Sequence, residues 1–377
     1  MAGSLEQAKR LHERLTGVPP SPATTVLTDM AESITAGDAK TAAYLAMENN
    51  AFYDVTLVSW AAPWTNRDRT VFVPLNDYTA TVVGLVRDEG DFRGLLFENI
   101  LYVGNGVTPA YAVNSNAHYE EISRRALPLK TTLVKTTQQG IPAEATAGVI
   151  TSRAASKAFF IAGTNRAQLR FTLLNHLCLD LEQLHDVTLS PDRIRQDVSR
   201  SPGGDSRAFL NGCMGCHTGM DPLAQAFAYY NYSYDADNDL TGENGQLQYN
   251  ADGMLDAETG TRVQAKYHFN SATFLPGFIT PDDHWDNYWR EGVNANLGWD
   301  AALSGAGVGA KSMAKELAYS EAFASCQATK VFKAMCFREP ANSADRQQLA
   351  NMVSDFKRQS YNAKELFADA AIYCMGE

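Results

Sequence analysis

Apolar residues recur every three or four positions along much of the chain, and this spacing predicts amphipathic helices. The strongest pattern lies in residues 165–184, where Leu169, Leu173 and Leu177 begin a leucine stripe that continues through 181 and 184. Ser21 is the predicted cap of a helix through residue 34. The remaining predicted helices cover residues 5–15, 38–60, 78–87 behind a cap at Asn76 or Asp77, a segment with helical spacing at Phe92, Leu95 and Leu96, 207–230, 310–337 with a break near Ser320, 343–359 and 362–374.

Two stretches lack this spacing. Residues 102–147 predict a long loop with one hairpin, and residues 231–299 are rich in Gly, Asn and Asp with short alternating runs, which indicates loops and a few short strands. The predicted fold class is therefore mainly α, a multi-helix body with long irregular loops and a few short strands.

One five-residue motif carries chemistry. Cys213, Cys216 and His217 follow a Pro- and Gly-containing loop at 201–206 that ends in a predicted capping residue, so the motif is expected on helical backbone. Two cysteines three residues apart can form thioethers with the two vinyl groups of haem, and the adjoining histidine then supplies an axial nitrogen to the iron. The motif predicts a cytochrome c-like haem helix that carries one covalent haem c, with His217 as the proximal ligand.

Zinc and thiol redox chemistry are the alternatives for such a motif. A structural zinc site needs a second ligand pair at similar spacing, and the sequence contains no other Cys-x-x-Cys and no closely spaced His pair. A thioredoxin-like pair needs alternating strands and helices around it, which the flanking residues do not predict. Both alternatives are weaker than haem.

The residues around the motif resemble a known family. Residues 213–223, followed by Ala226 and Phe227, are similar to the Cys-x-x-Cys-His-x-x-Met-Asp-Pro-Leu signature of a large cytochrome-like family abundant in planctomycetes and present in other bacteria. An Arg-Gly dipeptide expected near 165–166 and the second haem motif of some relatives are absent. The resemblance implies a haem cofactor and a compartment outside the cytoplasm but no particular reaction. Weaker similarities cover residues 14–21, 92–102, 148–151 and 320–374.

The second axial ligand decides between electron transfer and chemistry on a substrate. Met220 shares a helical face with His217, so we expect it on the proximal side, packed against the haem edge. We predict six-coordinate iron with a distal Met or His from the loops at 231–300. The distal candidates are His268 as first choice, His284 and Met254, and more distantly His176, His185 and Met313.

Charge and hydropathy limit the compartment and the partners. The formal net charge of -11 and the scattered basic residues argue against nucleic-acid binding and favour a small basic or neutral redox partner protein. No stretch reaches the roughly 18 consecutive apolar residues of a membrane span. Covalent haem attachment follows export, so we expect a periplasmic or extracellular (secreted) protein. Residues Met1 to about Ser4 are then expected to replace a removed leader or to have been added for expression.

The other four cysteines form an even set, as in disulfide-bonded proteins of oxidising compartments. On one continuous helix Cys326 and Cys336 would be about 15 Å apart, beyond the roughly 7 Å limit for a bridge. Cys178 with Cys326 and Cys336 with Cys374 is the preferred pairing. Cys178 with Cys336 and Cys326 with Cys374, or free buried thiols, remain alternatives.

An acidic loop offers a weak calcium candidate. Asp235, Asp237 and Asp239 alternate as in calcium-binding loops, but Leu240 and Gln246 stand where an EF-hand has Gly and Glu. A solvated acidic loop is the alternative interpretation.

Three functions remain open. The preferred one is one-electron transport by a monohaem cytochrome, organised as an N-terminal helical domain (1–130), a haem-binding domain (131–310) and a C-terminal helical module packed on it (311–377). The 377 residues are more than a simple carrier needs, so a peroxidase- or oxygenase-like haem enzyme with an open distal site is the second. The third is a cytochrome subunit of a larger surface or respiratory assembly.

Overall fold

Helices dominate the structure, as the apolar periodicity predicts. The computed structural model of the protein describes residues 3–161, 163–268, 270 and 273–376, so Met1 and Ala2 of the expected leader replacement lie outside the described residues. The described part contains sixteen α-helices and three antiparallel two-stranded sheets, which confirms the mainly α fold class. The helices are α1 (Ser4–Thr16), α2 (Val26–Thr35), α3 (Ala39–Met47), α4 (Val58–Ala61), α5 (Asp77–Arg87), α6 (Gly94–Phe97), α7 (Ala117–Arg124), α8 (Leu129–Thr132), α9 (Arg153–Phe159), α10 (Arg166–His176), α11 (Ser206–Ala208), α12 (Met214–Ala224), α13 (Gly309–Ala318), α14 (Glu321–Cys336), α15 (Ser343–Arg358) and α16 (Ala363–Cys374). The strands are β1 (Leu101–Gly104), β2 (Leu133–Thr136), β3 (Tyr230–Ser233), β4 (Gln246–Tyr249), β5 (His284–Asp286) and β6 (Ala306–Val308).

The first helices differ from prediction at their ends. Ser21 does not cap α2, because its hydroxyl accepts a hydrogen bond from the backbone of Ala23 and closes a local turn, and the helix starts at Val26. The predicted run 38–60 divides into α3, a π-helical turn at Phe52–Leu57 and α4. Periodicity alone does not register such breaks, since apolar residues continue through them.

The helix predicted at 165–184 ends at His176. Cys178 has φ 59°, a left-handed conformation that a right-handed helix cannot continue through, and a 3₁₀ turn at Leu181–Leu184 follows. The buried stripe is nevertheless real, because Leu169, Leu173, Leu177 and Leu184 are all buried. Two shorter elements therefore carry one apolar stripe.

The C-terminal helices agree with the sequence. Ser320 separates α13 from α14, and its hydroxyl accepts a hydrogen bond from the backbone of Phe323. Cys326 and Cys336 both lie on the unbroken α14, as the exclusion of a bridge between them required. Disulfides join Cys178 to Cys326 and Cys336 to Cys374, with Cα atoms 5.3 Å apart in each pair, which confirms the preferred pairing.

The main hydrophobic core draws on all three predicted domains, with buried residues such as Leu11, Leu173 and Phe332 in one continuous cluster. Helix α16 packs against α1 and α3, so the C-terminal module contacts the N-terminal helices as well as the middle of the chain. The division into three domains stays a prediction. Among the helices described, none has the length and apolar character needed to cross a membrane.

The irregular stretches match their predicted character in outline. Strands β1 and β2 pair antiparallel in the stretch where a hairpin was expected, but α7 and α8 lie between them, so the pair is not a hairpin, and neither helix was predicted. Helix α7 buries His118, Tyr119 and Ile122 on one face, a stripe too short to stand out from the loop composition around it. The segment from 231 to 299 contains β3, β4 and β5 among loops and 3₁₀ turns, as expected.

Candidate haem attachment site

The cysteine motif lies on helical backbone, as predicted. A π-helical turn at Phe209–Cys213 leads into α12, and the short α11 before it is capped by Asp205, whose carboxylate accepts from the backbone of Arg207. The cap is therefore Asp205, one residue before the predicted cap, and Ser206 is the first helical residue. Separations of three and four residues place Cys213, Cys216 and His217 on one side of the helix.

Cys213 and Cys216 are free thiols, whereas the four other cysteines are all bridged. Both are partly exposed, and the Cys216 thiol donates to the carbonyl of Leu181 over 3.5 Å. Burial, and after it the charge of Glu182, raises the pKa of Cys216. Catalytic redox cysteines need a lowered thiol pKa, so this environment disfavours a thioredoxin-like pair.

His217 is oriented by a carboxylate one helical turn further on. Its Nδ1 lies 3.1 Å from both oxygens of Asp221. A carboxylate of this kind only accepts hydrogen bonds, so Nδ1 carries the proton and donates. Nε2 has no hydrogen-bond partner among the described residues, and a ring nitrogen held in this way is suited to metal ligation.

Asp221 belongs to a buried group of charges that we call the arginine–aspartate cluster: Arg166, Arg195, Asp197 and Asp221. Arg166 Nε donates to Asp221 over 2.7 Å, and its terminal nitrogens donate to Asp197 over 2.7 and 2.8 Å. Arg195 pairs with Asp197 over 3.1 Å and donates its backbone N–H to Asp221 over 3.1 Å. Two positive and two negative charges therefore balance in a site where both carboxylate side chains are 0% exposed.

These contacts determine the charge states. Burial by itself raises the pKa of Asp221, but Arg166 and then His217 outweigh it and hold that pKa well below its usual range. Burial likewise opposes ionisation of Asp197, and hydrogen bonding from Arg166 lowers its pKa. Both carboxylates are ionised at neutral pH, so Asp221 presents a negative charge to His217.

Two glycines let other segments pack closely behind the helix. A Cβ atom on Gly215 would lie 2.5 Å from the ring of His185, and one on Gly219 would lie 2.0 Å from the ring of Trp289. The backbone N–H of Asp186 donates to the carbonyl of Gly215 over 2.9 Å. The segment after the 3₁₀ turn and the fully buried Trp289 thus pack closely against α12 at its two glycines.

Substitution of Gly219 tests this contact. Ala is favoured over Gly in a helix interior by about 1 kcal/mol, but the added methyl must displace buried Trp289, and overpacking of this kind costs about 1–3 kcal/mol. After the helix gain is subtracted, we expect G219A to lower the free energy of unfolding, measured in urea, by up to about 2 kcal/mol. G212A is the matched control, because a Cβ at that exposed position would meet no described residue outside its own helical segment within 4 Å, and it should leave stability unchanged or slightly raised. Equal stability of the two variants would contradict the close packing.

An apolar surface lies beside the thiols. Cys213 and Met214 pack against the small buried cluster of Ile194, Val198 and Phe209. The Arg200 guanidinium lies 4.9 Å from the Phe209 ring centre and 4.8 Å from that of Phe274, which places Phe274 at the same surface. Phe274 is 36% exposed and Met214 is half-buried, so part of this apolar surface is open to solvent, a setting that suits a porphyrin edge next to the two thiols. The large apolar side chains exposed on these segments are Leu210, Phe274, Leu275 and Ile279.

The structure places the three distal candidates in different settings. Met254 is 50% exposed in a loop, and the His284 side chain is 49% exposed on β5 with its Nε2 3.8 Å from Asp286. His268 is buried, and its Nε2 donates to the carbonyl of Thr280 over 2.7 Å. Six-coordination of the iron stays a prediction, and of these candidates only His268 is fixed in the interior.

The more distant candidates have other partners. His176 is completely buried and its Nε2 lies 2.7 Å from the Tyr78 hydroxyl. Met313 is buried in the main core, and the His185 ring packs on Gly215 of α12. Met220 is 4% exposed and also belongs to the main core. Its contact with the haem edge stays a prediction.

The carboxylates of the acidic loop accept hydrogen bonds from backbone N–H groups of the same loop. Asp235 accepts hydrogen bonds from the backbone of Asp237 and Asn238, and Asp239 accepts from Glu243 and Asn244. Across the described ranges, no three His, Cys, Asp or Glu side chains are grouped so that they could hold a metal ion. The calcium prediction gains no support from this geometry.

Sequence reasoning missed the arginine–aspartate cluster and the two close-packed glycines. Asp221 lies four residues after His217, a helical spacing that could have indicated the pair. Arg166 and Asp197 left no such signal, because each lies far from Asp221 in the chain. Comparisons of the chain with family models, curated proteins and solved structures gave no match.

Proposed function

We propose that the protein is a monohaem c-type cytochrome that transfers one electron outside the cytoplasm. When bound, the haem would supply an iron that changes oxidation state by one electron. The single observation that carries the proposal is the motif itself on helical backbone, with two free thiols and a histidine whose Nδ1 is held by Asp221. In this arrangement Cys213 and Cys216 would hold the porphyrin edge, and His217 Nε2 would face the iron.

The disulfides support the proposed compartment. Structural disulfides persist mainly where the surroundings are oxidising, and two bridge this chain. Covalent haem attachment in bacteria takes place in such a compartment. A periplasmic or extracellular location and a redox partner protein follow as parts of the proposal.

A haem enzyme is the second candidate, and the setting of the distal candidates favours it. Met254 and His284 are about half exposed, while the Nε2 proton of His268 is donated to Thr280. If none of them covers the iron, the distal face is open to a small substrate. The choice between an electron carrier and a haem enzyme therefore depends on whether a small molecule can reach the iron, and not on how the haem is attached.

The test of the proposal is covalent attachment. The protein is produced in the periplasm of a host with a haem-attachment system, denatured, and analysed by mass and by the pyridine haemochrome spectrum. The wild type should retain one haem, and C213A/C216A should retain none. C336A/C374A is the matched control that removes two other cysteines and should keep the haem. Pigment that acidic organic solvent extracts from the wild type would refute covalent attachment.

Carbon monoxide separates the two candidates. A carrier whose iron is covered by a strong second ligand should bind it slowly or not at all in the reduced state at neutral pH. Rapid, stoichiometric binding would contradict the six-coordinate prediction and favour the enzyme.

A further inference from the structure

We propose that Asp221 is a positioning residue that fixes His217 with its proton on Nδ1 and thereby lowers the reduction potential of the iron. The inference rests on the proposed haem function and extends it to the control of potential. Its basis is the contact of both Asp221 oxygens with Nδ1 at 3.1 Å.

The contact is rigid on both sides. Asp221 lies on the same helix as His217 and is itself held by Arg166 Nε at 2.7 Å and by the backbone N–H of Arg195 at 3.1 Å. The carboxylate side chain is 0% exposed, so water does not compete for it. These contacts restrict the rotation of both the carboxylate and the imidazole. A metal-ligating histidine needs such a fixed ring orientation.

The charge of Asp221 sets the direction of the effect. A carboxylate that accepts the Nδ1 proton makes the imidazole a stronger electron donor through Nε2. Stronger donation and a nearby negative charge both favour the more positive, oxidised iron. Arg166 offsets part of that charge, so Asp221 lowers the potential by less than an unpaired carboxylate would.

The test compares two carboxylates of the same cluster. D221N removes the charge that touches His217, and D197N removes the other one, which contacts Arg166 and Arg195 but not the histidine. In haem-loaded protein we expect D221N to shift the reduction equilibrium about tenfold toward the reduced form, which is about 59 mV for one electron. D197N should shift it by less than half as much, and D221E should bring the potential back toward that of the wild type. An unchanged potential in D221N, or an equal shift in D197N, would overturn the proposal.

A second measurement needs no variant and covers the case in which D221N fails to fold. In wild-type protein with ¹⁵N-labelled histidine, NMR should show a proton on Nδ1 of His217 that exchanges slowly with solvent. A His217 without a proton on Nδ1 would contradict the assignment. Absence of covalent haem would instead defeat the proposed function, so the two failures are distinguishable.

Discussion

Removal of the Cys178–Cys326 disulfide is expected to lower the free energy of unfolding by about 5 kcal/mol on the chain-entropy estimate for its loop. The bridge spans 148 residues, whereas Cys336–Cys374 spans 38. A longer closed loop removes more conformational freedom from the unfolded chain, so the second bridge should contribute about 4 kcal/mol. The Cys178–Cys326 bridge also links the segment just after α10 to α14.

The measurement is urea unfolding of C178A/C326A and of C336A/C374A against the wild type, all three produced in the same way and matched in cofactor content. A thiol reductant provides an internal control, because it opens disulfides and leaves thioethers intact. Reduced wild type should therefore unfold more easily than either double variant. A smaller loss for C178A/C326A than for C336A/C374A would contradict the loop-length ranking. A mapped peptide that joins Cys326 to Cys336 would contradict the pairing itself.

R166M is expected to lower the free energy of unfolding by about 3–5 kcal/mol, the range for breaking a buried ion pair from one side. Arg166 donates to both Asp221 and Asp197, and both carboxylate side chains are fully buried. The methionine would fill similar space but leave Asp221 without its principal positive partner. R170M is the matched control on the same helix, because Arg170 pairs with Asp180 at an exposed position. R170M should lower the free energy of unfolding by no more than about 1 kcal/mol.

The deficit of R166M should depend on pH. In the wild type the lowered pKa values of Asp221 and Asp197 contribute stability above the ordinary aspartate pKa of about 3.9. That contribution is lost as the pH falls through their folded pKa values. Without Arg166, burial raises the pKa of Asp221, so this carboxylate becomes protonated, and the unpaired buried charge is removed, at a higher pH than in the wild type. The difference in the free energy of unfolding between R166M and the wild type should therefore become smaller as the pH is lowered. A difference that grows would show that the buried carboxylates are not its source.

Features encoded in neighbouring residues could be predicted from the sequence. The proposed haem motif is one such feature, because the spacing of Cys213, Cys216 and His217 is the one that a porphyrin and the pitch of a helix would require, and five consecutive residues contain the whole signal. The exclusion of a Cys326–Cys336 bridge follows in the same way from the rise of one continuous helix. Asn76 as the cap of α5 is a third local case, since its side chain accepts from the backbone of Thr79 three residues later.

Only the tertiary structure decided which residues surround that motif. Arg166 meets Asp221 across 55 residues, and Arg195 meets it across 26. The end of α10 at His176 was likewise invisible in the leucine stripe, because the stripe continues through the 3₁₀ turn after the left-handed Cys178. The physical reason is that periodicity and short motifs report on backbone geometry within a few residues. The partner of a buried charge is chosen by packing, which brings together segments from anywhere in the chain and leaves no fixed spacing between them.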